Sequence, residues 1–205
     1  MSSLQRIEAL RRLAALTSPE DLFVTSIGAT LDDWWNVGHA ESTFFTTVLG
    51  SVSSTALGLA VALPHRRVVA IESDGSVLMN TGAMCTLAAE RPDNLTILVM
   101  DNAMYENIGG FATHTAGATN LAAMAAGAGC PNTATADAPA PFATHLAAML
   151  TDGAFGYLVA RIDASVETWT LEEKKPTDGT EDKYRFLRYV ETLEGTAIHG
   201  PLARR

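Results

Sequence analysis

Two apolar runs, each ending in a polar residue suited to ligand binding, most constrain this chain. Val68, Val69, Ala70 and Ile71 form the first run, followed by Glu72-Ser73-Asp74-Gly75-Ser76. Leu95, Thr96, Ile97, Leu98, Val99 and Met100 form the second, closed by Asp101-Asn102. A segment of helix length separates them. In an α/β sheet, ligands bind at the carboxyl ends of neighbouring strands. Asp74 and Asn102, 28 positions apart, are therefore expected to stand side by side there. Both are hard oxygen donors. Mg²⁺ needs few protein ligands of this kind, because phosphate oxygens and water complete its octahedron. The backbone N–H groups of Gly75 and Ser76 open the following helix and offer an anion site. These residues point to a metal-bridged diphosphate. The alternative is two ordinary strand-to-helix turns with no cofactor.

The rest of the chain predicts a sheet of the same kind. Leu4, Ile7, Leu10, Leu13 and Leu16, with charges between them, predict an amphipathic helix over 3–16. Residues 21–27 read as a first strand, 31–37 as a short helix and 43–48 as a strand rich in β-branched and aromatic residues. Residues 51–63 read as a helix whose small residues Ser54, Gly58 and Ala62 let it approach the sheet, with Pro64 ending it. A strand over 67–72, a helix over 76–90 and a strand over 95–100 follow. Residues 103–118 read as an ordered loop over the cofactor, 120–128 and 142–150 as helices, and 157–162 as a last strand. The polar stretch 170–183 reads as a surface connection and 184–193 as a closing helix. Alternating strands and helices imply an α/β fold, a parallel sheet with helices on both faces. The expected organisation is one diphosphate-binding α/β domain over residues 1–165 and a C-terminal extension over 166–205 packing on it.

Composition narrows the function. A net charge of −9 argues against general binding to nucleic acid or an anionic membrane. No segment reaches the roughly 20 apolar residues that span a bilayer. The amino-terminal segment lacks the continuous apolar run of a signal peptide. Cys85 and Cys130 stand in no metal-like spacing, so a reduced cytoplasmic location is expected.

Ser73-Asp74-Gly75-Ser76 followed by Asp101-Asn102 resembles the diphosphate-binding motif of thiamine diphosphate enzymes, G-D-G and then N-N or D-N. Ser73 stands where the family has its first glycine. The resemblance implies three protein ligands to Mg²⁺: the Asp74 carboxylate, the Asn102 side-chain oxygen and the Met104 carbonyl. It implies that Tyr105 reaches a phosphate oxygen. It places Leu49, 25 positions before Asp74, under the bend of the cofactor, and gives the Thr47 carbonyl to the pyrimidine amine. The alternative for Leu49 is an ordinary core leucine. Ser26 and Gly28 close the first strand and are candidates to touch the diphosphate.

The activating glutamate of that family comes from a separate pyrimidine-binding domain, and little sequence remains here before residue 50 or after 165. The resemblance therefore implies a diphosphate-binding subunit whose partner, a pyrimidine-binding α subunit, supplies the glutamate. G-S-V-S-S-T-A-L-G-L-A, M-D-N-A-M-Y-E-N-I-G-G-F-A-T-H-T and K-Y-R-F-L-R-Y-V-E resemble one subgroup of 2-oxo acid decarboxylases. That subgroup comprises the β subunit of sulfopyruvate decarboxylase and the matching half of phosphonopyruvate decarboxylase. The implied reaction is loss of CO₂ from a 2-oxo acid to give an aldehyde, in a heterotetramer or larger assembly. Phe111 replaces a polar residue of those relatives and admits a more apolar substrate. Two other readings stand beside this one, a carboligase forming acyloin or acetolactate-type products and a non-catalytic partner subunit.

His114 is a candidate to orient a substrate carboxylate or shuttle a proton, against a purely structural bond. Glu106 and Asn107 either face the cofactor or cap the following turn. Trp34 and Trp35 are either anchors for a partner or part of the chain's own core.

Overall fold

The computed structural model describes residues 3–163, 174–176 and 178–197. Of the connection expected over 170–183, residues 170–173 and 177 lie outside the described residues, as do 198–205 of the extension.

The core is a six-stranded sheet in the order β2-β1-β3-β4-β8-β7, with every neighbouring pair parallel. Its strands are β1 (Leu22–Ser26), β2 (Thr43–Thr46), β3 (Val68–Ser73), β4 (Leu95–Asp101), β7 (Thr133–Ala136) and β8 (Gly156–Arg161). Two further strands, β5 (Met104–Tyr105) and β6 (Phe111–Ala112), form a small antiparallel ribbon in the loop after β4.

Alternation along the strands divides the interior in two. Val68 and Ala70 of β3 face a layer containing α3 (Val52–Ala62), α5 (Ala83–Glu90), α6 (Leu121–Ala128) and α8 (Gly179–Glu194). Val69 and Ile71 face α1 (Arg6–Leu16), α2 (Ala29–Val37) and α7 (Pro139–Thr151). Because both faces are covered, the central strands read as continuous apolar runs. Each fully buried Val, Leu or Ile contributes about 1.5–3 kcal/mol against leaving it in water. Trp34 belongs wholly to this interior and donates its indole N–H to Thr43 Oγ1 at 2.8 Å. Trp35 meets Phe45 edge-on, so both tryptophans serve the chain's own packing.

α8 adds Phe186 and Val190 to the first layer, next to Phe44. Its start is capped by Asp178, which accepts from the amides of Thr180 and Glu181, a capping geometry worth about 1 kcal/mol. Just before it, buried Lys175 donates to Asp182 at 2.6 Å.

Two expectations are corrected and one unexpected strand is added. The helix expected over 76–90 is two helices, α4 (Asp74–Met79) and α5. The break follows Asn80, whose side chain turns away to donate to the Gly50 carbonyl at 2.9 Å. The small residues Ser54, Gly58 and Ala62 of α3 face outward, and a Cβ built on Gly58 would meet nothing. The sheet side of α3 is formed instead by Val52, Ser53, Ala56, Leu57 and Ala60. Finally, Thr133–Ala136 is an edge strand, β7, whose short T-A-T-A sequence carries little apolar signal.

The chain leaves β1 toward β2 on one side and returns to β3 on the other. That reversal opens a crevice between the carboxyl ends of β1 and β3, where doubly wound sheets bind ligands. No helix among the described residues is long and apolar enough to cross a membrane.

Candidate functional site

A cleft of about 140 Å³ lies at this reversal. β1 and the turn after it contribute Ser26, Ile27 and Gly28, β3 and α4 contribute Ser73, Gly75 and Ser76, and β4 with its following loop contributes Asn102, Met104, Tyr105 and Glu106. Leu49 comes from the turn after β2. The sequence therefore brings Ser26, Gly28, Leu49, Gly75, Ser76, Asn102, Met104 and Tyr105 together at one place. Asp74, Thr47 and His114 do not line the cleft. Thr47 is exposed and lies beside Gly179 at the start of α8, where a Cβ on that glycine would sit 3.3 Å from Thr47 Cγ2. His114 is exposed on the loop after β6.

Asp74 is the first residue of α4 and is 1% exposed. Its Oδ2 accepts from Thr113 Oγ1 at 2.6 Å and Thr115 Oγ1 at 3.2 Å. Thr115 Oγ1 also lies 2.7 Å from Asp101 Oδ1. Two buried carboxylates thus share the Thr115 hydroxyl, which has a single proton to give. Burial pushes the Asp74 carboxyl above its ordinary range, the Thr113 bond opposes that rise, and the charge of Asp101 adds to it. Arg161 lies 3.8 Å from Asp101, at the margin of the cluster.

The amides after Asp74 are engaged locally. Ser76 N donates to Ser73 Oγ at 3.3 Å, and Ser76 Oγ accepts from the Gly50 amide at 2.9 Å. Gly75 is required by packing, since a Cβ there would stand 2.7 Å from the Tyr105 ring. The ring of Tyr105 therefore forms a wall directly over the turn that carries Asp74.

Asn102 follows β4. Its Oδ1 accepts from the Met104 amide at 3.1 Å, and its Nδ2 donates to Glu106 Oε2 at 3.0 Å. Between Asn102 and Met104, Ala103 is held at φ +58°, a left-handed conformation that costs a non-glycine residue about 1 kcal/mol or more. Asp101 Oδ1 accepts from the Ala103 amide at 3.1 Å, and the Ala103 carbonyl accepts from Thr113 N at 3.0 Å. The surrounding bonds thus enforce a turn that the residue alone would not choose.

With this geometry in view, residues 32–160 match the family described as thiamine pyrophosphate enzyme, C-terminal TPP-binding domain. The chain belongs to that family. It is 35% identical over 125 residues to phosphonopyruvate decarboxylase of Streptomyces hygroscopicus, covering 60% of this chain and 31% of that protein. It is 32% identical over 126 residues to sulfopyruvate decarboxylase subunit beta of Methanocaldococcus jannaschii, covering 61% and 66%. The chain thus spans under a third of the first relative and just under two thirds of the second. In fold it is similar to the thiamine diphosphate-dependent 4-hydroxybenzoylformate decarboxylase of Rhodococcus jostii RHA1, with a TM-score of 0.69 at 19% identity over 82% of this chain and 34% of that one.

The TPP-binding domain also uses residues that sequence reasoning missed. Thr113 and Thr115 hold Asp74, yet the only signal for them was their place in the T-H-T triplet around His114. Arg6 lies outside the matched region altogether. It is 5% exposed, lines the cleft from α1, and donates to Asp33 Oδ2 at 2.5 Å and Glu106 Oε2 at 2.8 Å. In the amphipathic pattern of α1, Arg6 reads as a surface charge, and no periodicity reveals a buried cation.

Proposed function

We propose that this chain is the diphosphate-binding subunit of a split enzyme, dependent on thiamine diphosphate and Mg²⁺, that decarboxylates a 2-oxo acid to an aldehyde. The observation that carries the proposal is a cleft lined by Leu49, Gly75, Asn102 and Met104, with Asp74 buried next to Gly75 at the end of the strand that neighbours the one closed by Asn102. The donor set suits Mg²⁺. The Asp74 carboxylate, the Asn102 amide oxygen and the Met104 carbonyl are hard oxygens of the kind it prefers. No group of three or more His, Cys, Asp or Glu side chains among the described residues stands ready to hold a metal. That accords with an ion that keeps water and phosphate in its shell. A divalent charge beside Asp74 would also offset the burial and repulsion that raise its carboxyl.

When bound, thiamine diphosphate supplies the nucleophile and electron sink of the reaction. In this chain Asp74, Asn102 and Met104 would hold the metal and so anchor the diphosphate. Leu49 would support the bent cofactor from below, and Tyr105 would close the wall over Gly75. Among the described residues lining the cleft, the positive charge is that of Arg6, and two carboxylates already neutralise it. The 2-oxo acid is sulfopyruvate- or phosphonopyruvate-like, or more apolar as the exposed Phe111 admits.

The partner is inferred from the surface around the cleft. Ile27, Val48, Met79, Ile108 and Phe111 are 39%, 59%, 51%, 63% and 69% exposed. They come from the turns after β1 and β2, the end of α4 and the segment after β4. Exposed apolar patches of this kind mark interaction sites, and here they would receive the pyrimidine-binding subunit that brings the activating glutamate, in the cytoplasm. The test is isothermal titration of thiamine diphosphate with Mg²⁺ into the chain alone and into the complex with its copurifying subunit. Tight binding in the complex only, with CO₂ released from a 2-oxo acid, is the expected result. Absence of binding in both preparations overturns the proposal.

A further inference from the structure

We infer that Glu106, held by Arg6, is a positioning residue that sets which end of the Asn102 side-chain amide faces the metal. The inference rests on the metal site proposed above and goes beyond it in naming what orients one ligand. An asparagine side chain has two ends of nearly equal size, a carbonyl oxygen that can bind a cation and an NH₂ group that cannot. Something must choose between them. Asn102 Nδ2 lies 3.0 Å from Glu106 Oε2. An ionised carboxylate only accepts hydrogen bonds, so the group facing it must be the NH₂. The amide oxygen is thereby turned to the other side, where the Met104 amide also favours it at 3.1 Å.

Glu106 is itself fixed. Its Oε2 accepts from Arg6 Nη1 at 2.8 Å, and Arg6 Nε donates to Asp33 Oδ2 at 2.5 Å. Arg6 and Asp33 side chains are 5% and 3% exposed. The chain of bonds therefore runs from α2 through α1 to the loop after β4, and ends on Asn102. A guanidinium suits this task because its donors are set in a rigid planar fork. Groups that orient metal ligands in this way typically change metal affinity by about 10–100-fold when removed.

The test is a double-mutant cycle read by metal binding. Mn²⁺, followed by its electron paramagnetic resonance signal, replaces Mg²⁺. It is titrated in saturating thiamine diphosphate into the complex that copurifies with the full chain. Glu106→Ala is expected to weaken Mn²⁺ by about 10–100-fold. Arg6→Lys, which keeps the charge but not the fork, is expected to weaken it less. The deciding arm is Asn102→Asp. A carboxylate has two equivalent oxygens and needs no orienting, so adding Glu106→Ala to Asn102→Asp is expected to cost nothing further, or to raise affinity by removing a like charge. Thermal unfolding of each variant separates this coupling from loss of fold. An equal loss from Glu106→Ala in both backgrounds, or no loss in either, overturns the inference while leaving the metal site intact. Failure of the unaltered complex to bind Mn²⁺ overturns the metal site itself, and the positioning role with it.

Discussion

Two buried carboxylate clusters lie side by side at the carboxyl end of the sheet, and they are built in opposite ways. In one, Asp33 and Glu106 are joined by Arg6, so two negative charges share a cation brought by the chain itself. In the other, Asp74 and Asp101 have hydroxyls of Thr113 and Thr115 between them, and the nearest guanidinium, Arg161, stands 3.8 Å off at the edge. A buried ion pair is held together by its own attraction, and removing one member strands the other. A buried pair of like charges is in debt until a cation arrives. The first cluster is thus a finished piece of structure. On the proposed reading the second is completed by a bound cation, and the two meet at Asn102, one residue past Asp101 and hydrogen-bonded to Glu106.

The contrast can be broken in four ways, from the largest effect to the smallest. Arg6→Met strands Asp33 and Glu106 and is expected to cost about 3–5 kcal/mol of stability in urea denaturation. A loss under about 1 kcal/mol, the scale of an exposed pair, would show that the first cluster is not a closed unit. Asp74→Ala should behave oppositely. It removes a carboxylate from an uncompensated pair, so thermal stability holds or rises without metal, while Mg²⁺-dependent cofactor affinity falls by more than the roughly 100-fold reached by supporting residues. Unchanged affinity in titration calorimetry would remove Asp74 from the metal set.

Thr115→Val removes the hydroxyl shared between the two aspartates and is expected to cost about 1–3 kcal/mol, the penalty of an unsatisfied buried acceptor. Unfolding with and without Mg²⁺ and cofactor checks this, and the loss should shrink when the metal is present. Glu72 sharpens the comparison from beneath. It is 1% exposed, Ser53 donates to its Oε1 through both N and Oγ, and burial pushes its carboxyl up while Ser76 and Ser53 oppose the rise. The folded state therefore holds a proton that the unfolded chain releases. Its contribution is present below the ordinary glutamate value of 4.5 and is lost as pH climbs from there through the raised folded value. Glu72→Gln is expected to flatten this part of the stability profile and to match or exceed the parent at neutral pH. A steeper profile in the variant would show that the carboxylate is ionised and useful in the native state.

Much of this was legible in advance where the signal is local. The apolar runs at 68–71 and 95–100 appear as the parallel neighbours β3 and β4, so Asp74 and Asn102, which follow them, lie toward one carboxyl end of the sheet. The helix break at Asn80 was missed because its cause is a bond to Gly50, 30 residues away. The orientation of α3 was inverted for a related reason. Its surface is apolar or small nearly all round, so periodicity could not say which stripe meets the sheet. Asp74, Thr47 and His114, expected at the site by resemblance and by chemistry, stand outside the cleft lining in this chain.

What the sequence determined by itself was therefore the kind of fold and the strands that form its centre. These follow from patterns of residue type within a single element, and a chain carries such patterns in plain order. What only the tertiary structure decided was which charges are shared. Arg6 meets Asp33 because α1 lies beside α2, and meets Glu106, 100 positions away, because the loop after β4 reaches the same end of the sheet. Thr115 reaches Asp74 from 41 positions away because the loop after β4 folds back over the turn after β3. Long-range partners of polar groups depend on how finished elements pack, and the energy that selects them is released only on burial.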